Sequence, residues 1–274
     1  MRTNQKLGQH FLEDPAAARK IVDAAGITPS DLVVEIGSGK GALTHLLVQQ
    51  AEKVVGIELD RRLCEDLQKR FAGIANFYVV NQDALETDLE QLIRGEGFEQ
   101  AILVGNLPYQ ITGALVEKIL SVGAFLKWAV VMVQREVGRR MVASPGGKEY
   151  GILSVAVQIR ALAERLFDLG PGHFHPPPQV HSSVIRLDFP SRQPVPIQNE
   201  RFFFKLVRAA FQQRRKMLKN TLSKQVPVPE SGLLAAMNEA GVDPQSRPET
   251  VSGEQFEKIC GMLLTQMDRP LLRG

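Results

Sequence analysis

Leu32-Val33-Val34-Glu35-Ile36-Gly37-Ser38-Gly39-Lys40-Gly41 decides the fold of this chain. Its first five residues form an almost continuous apolar run, as in a strand buried on both faces. The glycines that follow lead into an apolar helix through Leu43, Leu46, Leu47 and Val48. Small residues in such a loop let backbone N–H groups and a helix N-terminus come close to a ligand. Gly37, Gly39 and Ala42 satisfy the loose dinucleotide fingerprint, and Glu58 stands roughly 20 residues beyond the loop, where an acid grips ribose hydroxyls. The loop alone does not separate a nicotinamide cofactor from S-adenosylmethionine, and a purely structural glycine turn is the plain alternative.

Outward from this stretch the pattern alternates. Asp14-Pro15 starts a helix that runs to Gly26, with Asp as cap and Pro in the first turn. Downstream come a strand at 54–57 ending at Glu58, a helix at about 61–71, a strand at 77–80 ending near Asp83 and a strand at 101–104. A helix at 112–120, an apolar strand at 128–133 and a helical stretch at 151–161 continue the order. Two late strands, at 163–169 and 180–189, flank a Pro-rich turn. Strands spaced by helices predict a parallel sheet covered on both faces, completed here by an antiparallel hairpin. Pro190 to Pro196 reads as a linker, and everything beyond it looks helical. The expected domains are therefore 1–190, α/β, and 191–274, all helical.

Asn106-Leu107-Pro108-Tyr109 follows the fourth strand as a rigid turn, because Pro108 fixes its own φ and keeps Leu107 out of the helical region. Asn106 carries an acceptor and a donor suited to the edge of a base, and Tyr109 carries a face on which a base can stack. The alternative is an ordinary loop. Gly37, Glu58, Asp83 and Asn106 each end a successive strand, so they line one crevice, where open α/β sheets bind ligands. Asp83 can accept from an adenine amino group or simply cap a turn. Phe174, in a loop stiffened by Pro176, Pro177 and Pro178, is a second aromatic face for an extruded base, or core filler.

The chain has 274 residues, 44% hydrophobic and 23% charged, with a net charge of +3. Any nucleic-acid contact must then come from local clustering. The C-terminal region supplies a cluster: a helix expected over 202–224 puts Phe204, Val207, Phe211, Leu218 and Leu222 on one face. Lys205, Arg208, Gln212, Arg215 and Lys219 form a basic stripe beside them, with Arg214, Lys216 and Lys224 nearby. Phosphate contact is favoured over a solvated face. Cys64 and Cys260 lie far apart without disulfide or metal spacing, and His173, His175 and His181 lack a metal-site pattern. No signal peptide or membrane span is read, so a cytoplasmic protein is expected.

Taken together, these residues make the sequence resemble the bacterial small-subunit (16S) ribosomal RNA adenine dimethyltransferases over nearly the whole chain. The resemblance is carried by Gln9-His10-Phe11-Leu12, the Glu35 to Gly41 loop, Glu58, Asp83, Asn106-Leu107-Pro108-Tyr109, Pro145 to Gly151, Phe174 with Pro176, Pro178 and Val180, and the basic C-terminal helix. It implies a Rossmann-like class I methyltransferase domain with a small helical domain, and S-adenosylmethionine as cofactor. It implies cofactor contacts from His10, Leu12, Gly37, Glu58, Asp83 and Asn106. Asn106, Leu107, Tyr109 and Phe174 would act on the base, and Arg208, Arg215 and Lys219 on RNA. The reaction implied is dimethylation of N6 on two adjacent adenosines in the 3′-terminal hairpin of 16S rRNA, by a monomer that also serves ribosome biogenesis. The family often has Asn where His10 stands and Pro where Ser38 stands. The rivals are a 23S rRNA adenine dimethyltransferase, an N6-adenine DNA methyltransferase, a mainly non-catalytic assembly factor and, outside the transferases, a nicotinamide dehydrogenase, which leaves Asn106 to Tyr109 unexplained.

Overall fold

The computed structural model describes residues 9–190 and 195–268. Residues 191–194 of the expected linker lie outside the described residues. The chain divides into two compact units, Met1–Arg139 with Ala161–Ser191, and Arg140–Arg160 with Arg192–Gly274.

In the first unit β1 (Phe11–Leu12), α1 (Pro15–Ala25), β2 (Leu32–Ile36), α2 (Thr44–Leu47), β3 (Lys53–Glu58), α3 (Arg61–Arg70), β4 (Phe77–Asn81), α4 (Leu89–Gly95), β5 (Ala101–Asn106), α5 (Thr112–Ser121) and β6 (Leu126–Gln134) follow in order. α1 forms as its sequence predicts. The Asp14 carboxylate accepts from the N–H of Ala16 at 2.8 Å, Pro15 opens the helix, and Gly26 closes it at φ 59°. The glycine-led helix α2 is only four residues long.

β2 to β6 are parallel neighbours. Five of the seven strands thus read as near-continuous apolar runs, because helices cover both faces of a parallel sheet. After α6 (Arg135–Met141) and α7 (Ile152–Gln158) come β7 (Leu162–Leu169), β8 (Phe174–His175) and β9 (Ser182–Asp188). β9 lies antiparallel between β6 and β7, completing the order β4-β3-β2-β5-β6-β9-β7 with the expected hairpin. β8 pairs instead with β1, Leu12 opposite Phe174, in a separate two-stranded sheet. The order reverses at β2, between β3 and β5, so the crevice opens at the carboxyl ends of these strands.

The second unit packs α7 with α8 (Glu200–Gln212), α9 (Leu218–Leu222), α10 (Glu230–Glu239) and α11 (Gly253–Asp268). Its core joins Tyr150, Val155 and Ile159 to Phe203, Val207 and Phe256, and the Tyr150 hydroxyl donates to the Val251 carbonyl at 3.0 Å. The expected boundary at 190/191 lies within one residue of this division, but residues 140–160, expected in the α/β domain, belong to the helical unit, because apolar side chains such as Tyr150, Val155 and Ile159 are buried in its core.

The single helix expected over 202–224 is also corrected. α8 ends at Gln212 and α9 begins at Leu218, although no Gly or Pro intervenes. Tertiary bonds break it: Arg214 Nε donates to Glu249 Oε2 at 2.6 Å, its Nη2 reaches the Lys148 carbonyl at 2.5 Å, and Leu218 N–H donates to the Ser246 carbonyl at 2.8 Å. The apolar face still forms, with Phe204, Val207, Leu218 and Leu222 buried and Phe211 half-buried. Among the described residues no helix is long and apolar enough to cross a membrane.

Candidate active site

Each crevice residue is placed by the end of a strand. Gly37 follows β2, Glu58 ends β3, Asp83 lies just past β4 and Asn106 ends β5. All four line one cavity, with Phe11 and Leu59 beside them.

Gly37 adopts φ 72°, and a Cβ there would lie 3.2 Å from the Asn106 carbonyl oxygen. The position needs glycine twice over, for the left-handed backbone and for the close approach of β5. Gly39 N–H donates to Glu58 Oε2 at 2.8 Å, and Asp60 N–H donates to Oε1 at 2.9 Å. Burial pushes the Glu58 carboxyl above its ordinary range, while the Asp60 and Gly39 N–H groups pull it back. Each oxygen keeps lone-pair capacity for a hydroxyl donor in the cavity. Asp83 is both cap and cavity wall, since its Oδ1 accepts from Leu85 N–H at 2.8 Å.

Deeper in the strand, Glu35 is fully buried and accepts from the Thr44 hydroxyl at 2.6 Å. Desolvation raises its carboxyl to about 7, the Thr44 hydroxyl opposing the shift and the Glu58 charge adding to it.

The segment from His10 to Asp14 forms a strap over the loop. Phe11 packs on Gly39, where a Cβ would meet its ring at 3.2 Å, and Lys40 pairs with Glu13 at 2.6 Å. At the far end His173 Nδ1 meets Asp14 Oδ2 at 2.6 Å. His10 lines the cavity, and its Nδ1 lies 2.7 Å from the Pro176 carbonyl. A carbonyl only accepts, so this nitrogen carries the proton.

Asn106 Nδ2 donates to the His10 carbonyl at 3.0 Å, leaving the amide oxygen as the group that Asn106 offers the cavity. Leu107 N–H donates to the Met132 carbonyl at 3.0 Å, which continues the β5–β6 ladder and fixes the turn. Tyr109 is half-buried, and its hydroxyl lies 2.7 Å from Ser182 Oγ.

Two of the expected site residues stand apart from this cavity. Leu12 and Phe174 do not line the cavity. Both are 5% exposed and pack with Ile21 and Val104 in the core, because pairing across β1 and β8 turns them to the same inner side. Phe11, one residue from Leu12, takes the cavity position that alternation along a strand denies to Leu12. Sequence reasoning missed Phe11 and Leu59 as cavity walls and Ser182 as the partner of Tyr109. An apolar Leu59 directly after the strand-ending Glu58 was the available signal. Among the described residues no cluster of His, Cys, Asp or Glu is arranged to hold a metal.

In the second unit Arg208 and Arg215 are exposed and Lys219 is half-buried. The Arg208 guanidinium lies 5.8 Å from the Phe204 ring centroid. Arg214, expected near the stripe, is held by Glu249.

The sequence matches the family described as ribosomal RNA adenine dimethylase over residues 1–264. The chain belongs to that family. As a member it is similar to a Desulfitobacterium hafniense protein named ribosomal RNA small subunit methyltransferase A, 42% identical over 267 residues, with 97% of this chain and 94% of the relative covered. The Geobacillus thermodenitrificans protein of the same name is 40% identical, with 95% and 90% covered. Among solved structures, a dimethyladenosine transferase from Plasmodium falciparum matches with TM-score 0.78 and 29% identity over 91% of this chain and 96% of that one. The 23S rRNA methyltransferase ErmE matches with TM-score 0.71 and 26% identity, covering 92% and 99%. This dimethylase is accordingly an rRNA adenine dimethyltransferase of the class that uses S-adenosylmethionine. The cavity suits such a cofactor: Gly37 and Gly39 line it with backbone alone, Glu58 gives it a buried carboxylate and Leu59 an apolar wall.

Proposed function

We propose that the protein dimethylates N6 of two adjacent adenosines in the 3′-terminal hairpin of 16S rRNA, within the small subunit or its precursor. The observation that carries this reading is the bond from Asn106 Nδ2 to the His10 carbonyl, which dedicates the other end of the amide to accepting.

When bound, S-adenosylmethionine supplies a methyl group on a positively charged sulfur. Glu58 would accept from its ribose hydroxyls, Asp83 from its adenine amino group, and His10 and Gly37 would flank its methionine end. Asn106 Oδ1 and the Leu107 carbonyl accept the two N6 hydrogens of the target adenine. This localises the nitrogen lone pair, otherwise delocalised into the ring, and aims it at the methyl group. No strong base is required, because the methylated amino group is acidic and sheds its proton to water. In the second round one N–H remains, so one acceptor is left beside a methyl. Tyr109 stacks on the extruded base. Phe174 contributes by holding the 171–176 loop to the strap, since its ring is in the core. Arg208, Arg215 and Lys219 of the second unit would contact rRNA phosphates.

Support for the small-subunit substrate comes from the relatives named for it. The test is incubation with labelled S-adenosylmethionine and under-methylated small subunits, with protein-free 23S rRNA offered in a parallel reaction, followed by mapping of modified nucleosides. Two neighbouring N6,N6-dimethyladenosines near the 3′ end are expected. Label confined to 23S rRNA, or absent, overturns the proposal.

A further inference from the structure

An aromatic ring that stacks a base works only as well as its orientation is held. The backbone of Tyr109 is fixed by the Leu107 bond to Met132 and by Pro108 at φ −57°. Its side chain still has two free torsions, and one hydrogen bond settles them: the hydroxyl lies 2.7 Å from Ser182 Oγ. Ser182 is a rigid anchor. It is fully buried at the start of β9, paired with Gln134 of β6 on one side and Leu169 of β7 on the other, so its backbone is held between two neighbouring strands. On the ring itself, the His10 imidazole packs with centroids 5.5 Å apart and planes tilted by 33°, and His10 is tied to the Pro176 carbonyl. A planar ring has two faces. With His10 beside the ring and the hydroxyl pinned by Ser182, the ring is held in one orientation toward a base.

We infer that Ser182 is a positioning residue for the target adenine, acting through the Tyr109 hydroxyl. The inference rests on the proposed role of Tyr109 in holding the base. It explains why a tyrosine, and not merely an aromatic ring, is useful there: phenylalanine would keep the stacking area and lose the anchor.

Ser182→Ala and Tyr109→Phe each delete one end of the bond. Either change is expected to raise KM for small subunits about two- to twelvefold, the span of one net hydrogen bond, with KM for S-adenosylmethionine unchanged. The double variant is expected to be no worse than either single one, because both remove the same interaction. Multiplying effects, an equal rise in both KM values, or no rise in either overturns the inference. Tyr109→Ala separates it from the reading beneath: if Tyr109→Ala raises the RNA requirement and Ser182→Ala does not, only the positioning role falls. If Tyr109→Ala itself leaves the RNA requirement unchanged, the stacking role falls with it.

Discussion

The side-chain amide of Asn106 donates to the main-chain carbonyl of His10 at 3.0 Å, joining the end of a central strand to the N-terminal strap. The residue proposed to accept from the reacting nitrogen is thus also tied to the strap beside the cavity. Asn106→Ala is expected to lower kcat at least about 100-fold, the usual effect of deleting a group that stabilises charge in the transition state. It is also expected to weaken binding of S-adenosylhomocysteine, because the strap loses an inner tie. Single-turnover methyl transfer and calorimetric titration measure the two effects. Near-normal methylation by the variant would remove Asn106 from the reaction.

Gly37→Ala tests the close approach of loop and strand. The variant must hold φ 72° with a side chain and place a Cβ 3.2 Å from the Asn106 carbonyl oxygen. Gly97 is the control, at φ 83° with nothing within 4 Å of its Cβ position. Both changes are expected to lower stability by about 1–2 kcal/mol through backbone strain. Only Gly37→Ala should also weaken cofactor binding, by about tenfold or more. Equal cofactor affinity in the two variants, read by titration alongside thermal unfolding, would show that the approach is not used for binding.

Glu35 makes stability depend on pH in an unusual direction. An exposed carboxyl titrates near 4.5, whereas burial raises this one to about 7, with the Glu58 charge contributing and the Thr44 hydroxyl opposing. Between those values the folded protein holds a proton that the unfolded chain has released, so stability falls as pH rises through the window and levels off above it. The full effect is bounded at about 3 kcal/mol. Glu35→Gln stays neutral, so its Tm should be flatter from pH 5 to 7 and higher than the parent's at pH 8. Parallel Tm profiles for the two proteins would count against this account.

Most of the sheet was legible because burial on both faces forces continuous apolar runs, as in 32–36 and 101–104. The crevice was legible because Gly37, Glu58, Asp83 and Asn106 each terminate such a run. What stayed hidden depends on contacts distant in sequence. Nothing local marks Phe174 and His175 as a strand, since their partners are Leu12 and Phe11. That pairing also turns Phe174 inward. Likewise the segment Arg140–Arg160 has an apolar helix whose periodicity says nothing about which core receives it. The break between Gln212 and Leu218 has no glycine or proline to announce it, because Glu249 and two carbonyls draw Arg214 out of the helix.

That break separates two kinds of basic residue that looked alike in the sequence. Arg214 is committed to Glu249 at 2.6 Å, whereas Arg215 is exposed two residues before Met217. If the cluster grips phosphates, neutralising Arg208, Arg215 and Lys219 together should make log K for small subunits less steep in log salt by about 2, from roughly 0.7 per single-strand phosphate contact. Arg214→Gln should behave differently: it breaks an internal ion pair, so Tm should fall while the salt slope holds. Binding measured from low to moderate salt for the parent and both variants decides the matter. An unchanged slope in the triple variant would leave the three as solvated surface charges, and a reduced slope in Arg214→Gln would mean that its pairing with Glu249 gives way when RNA arrives.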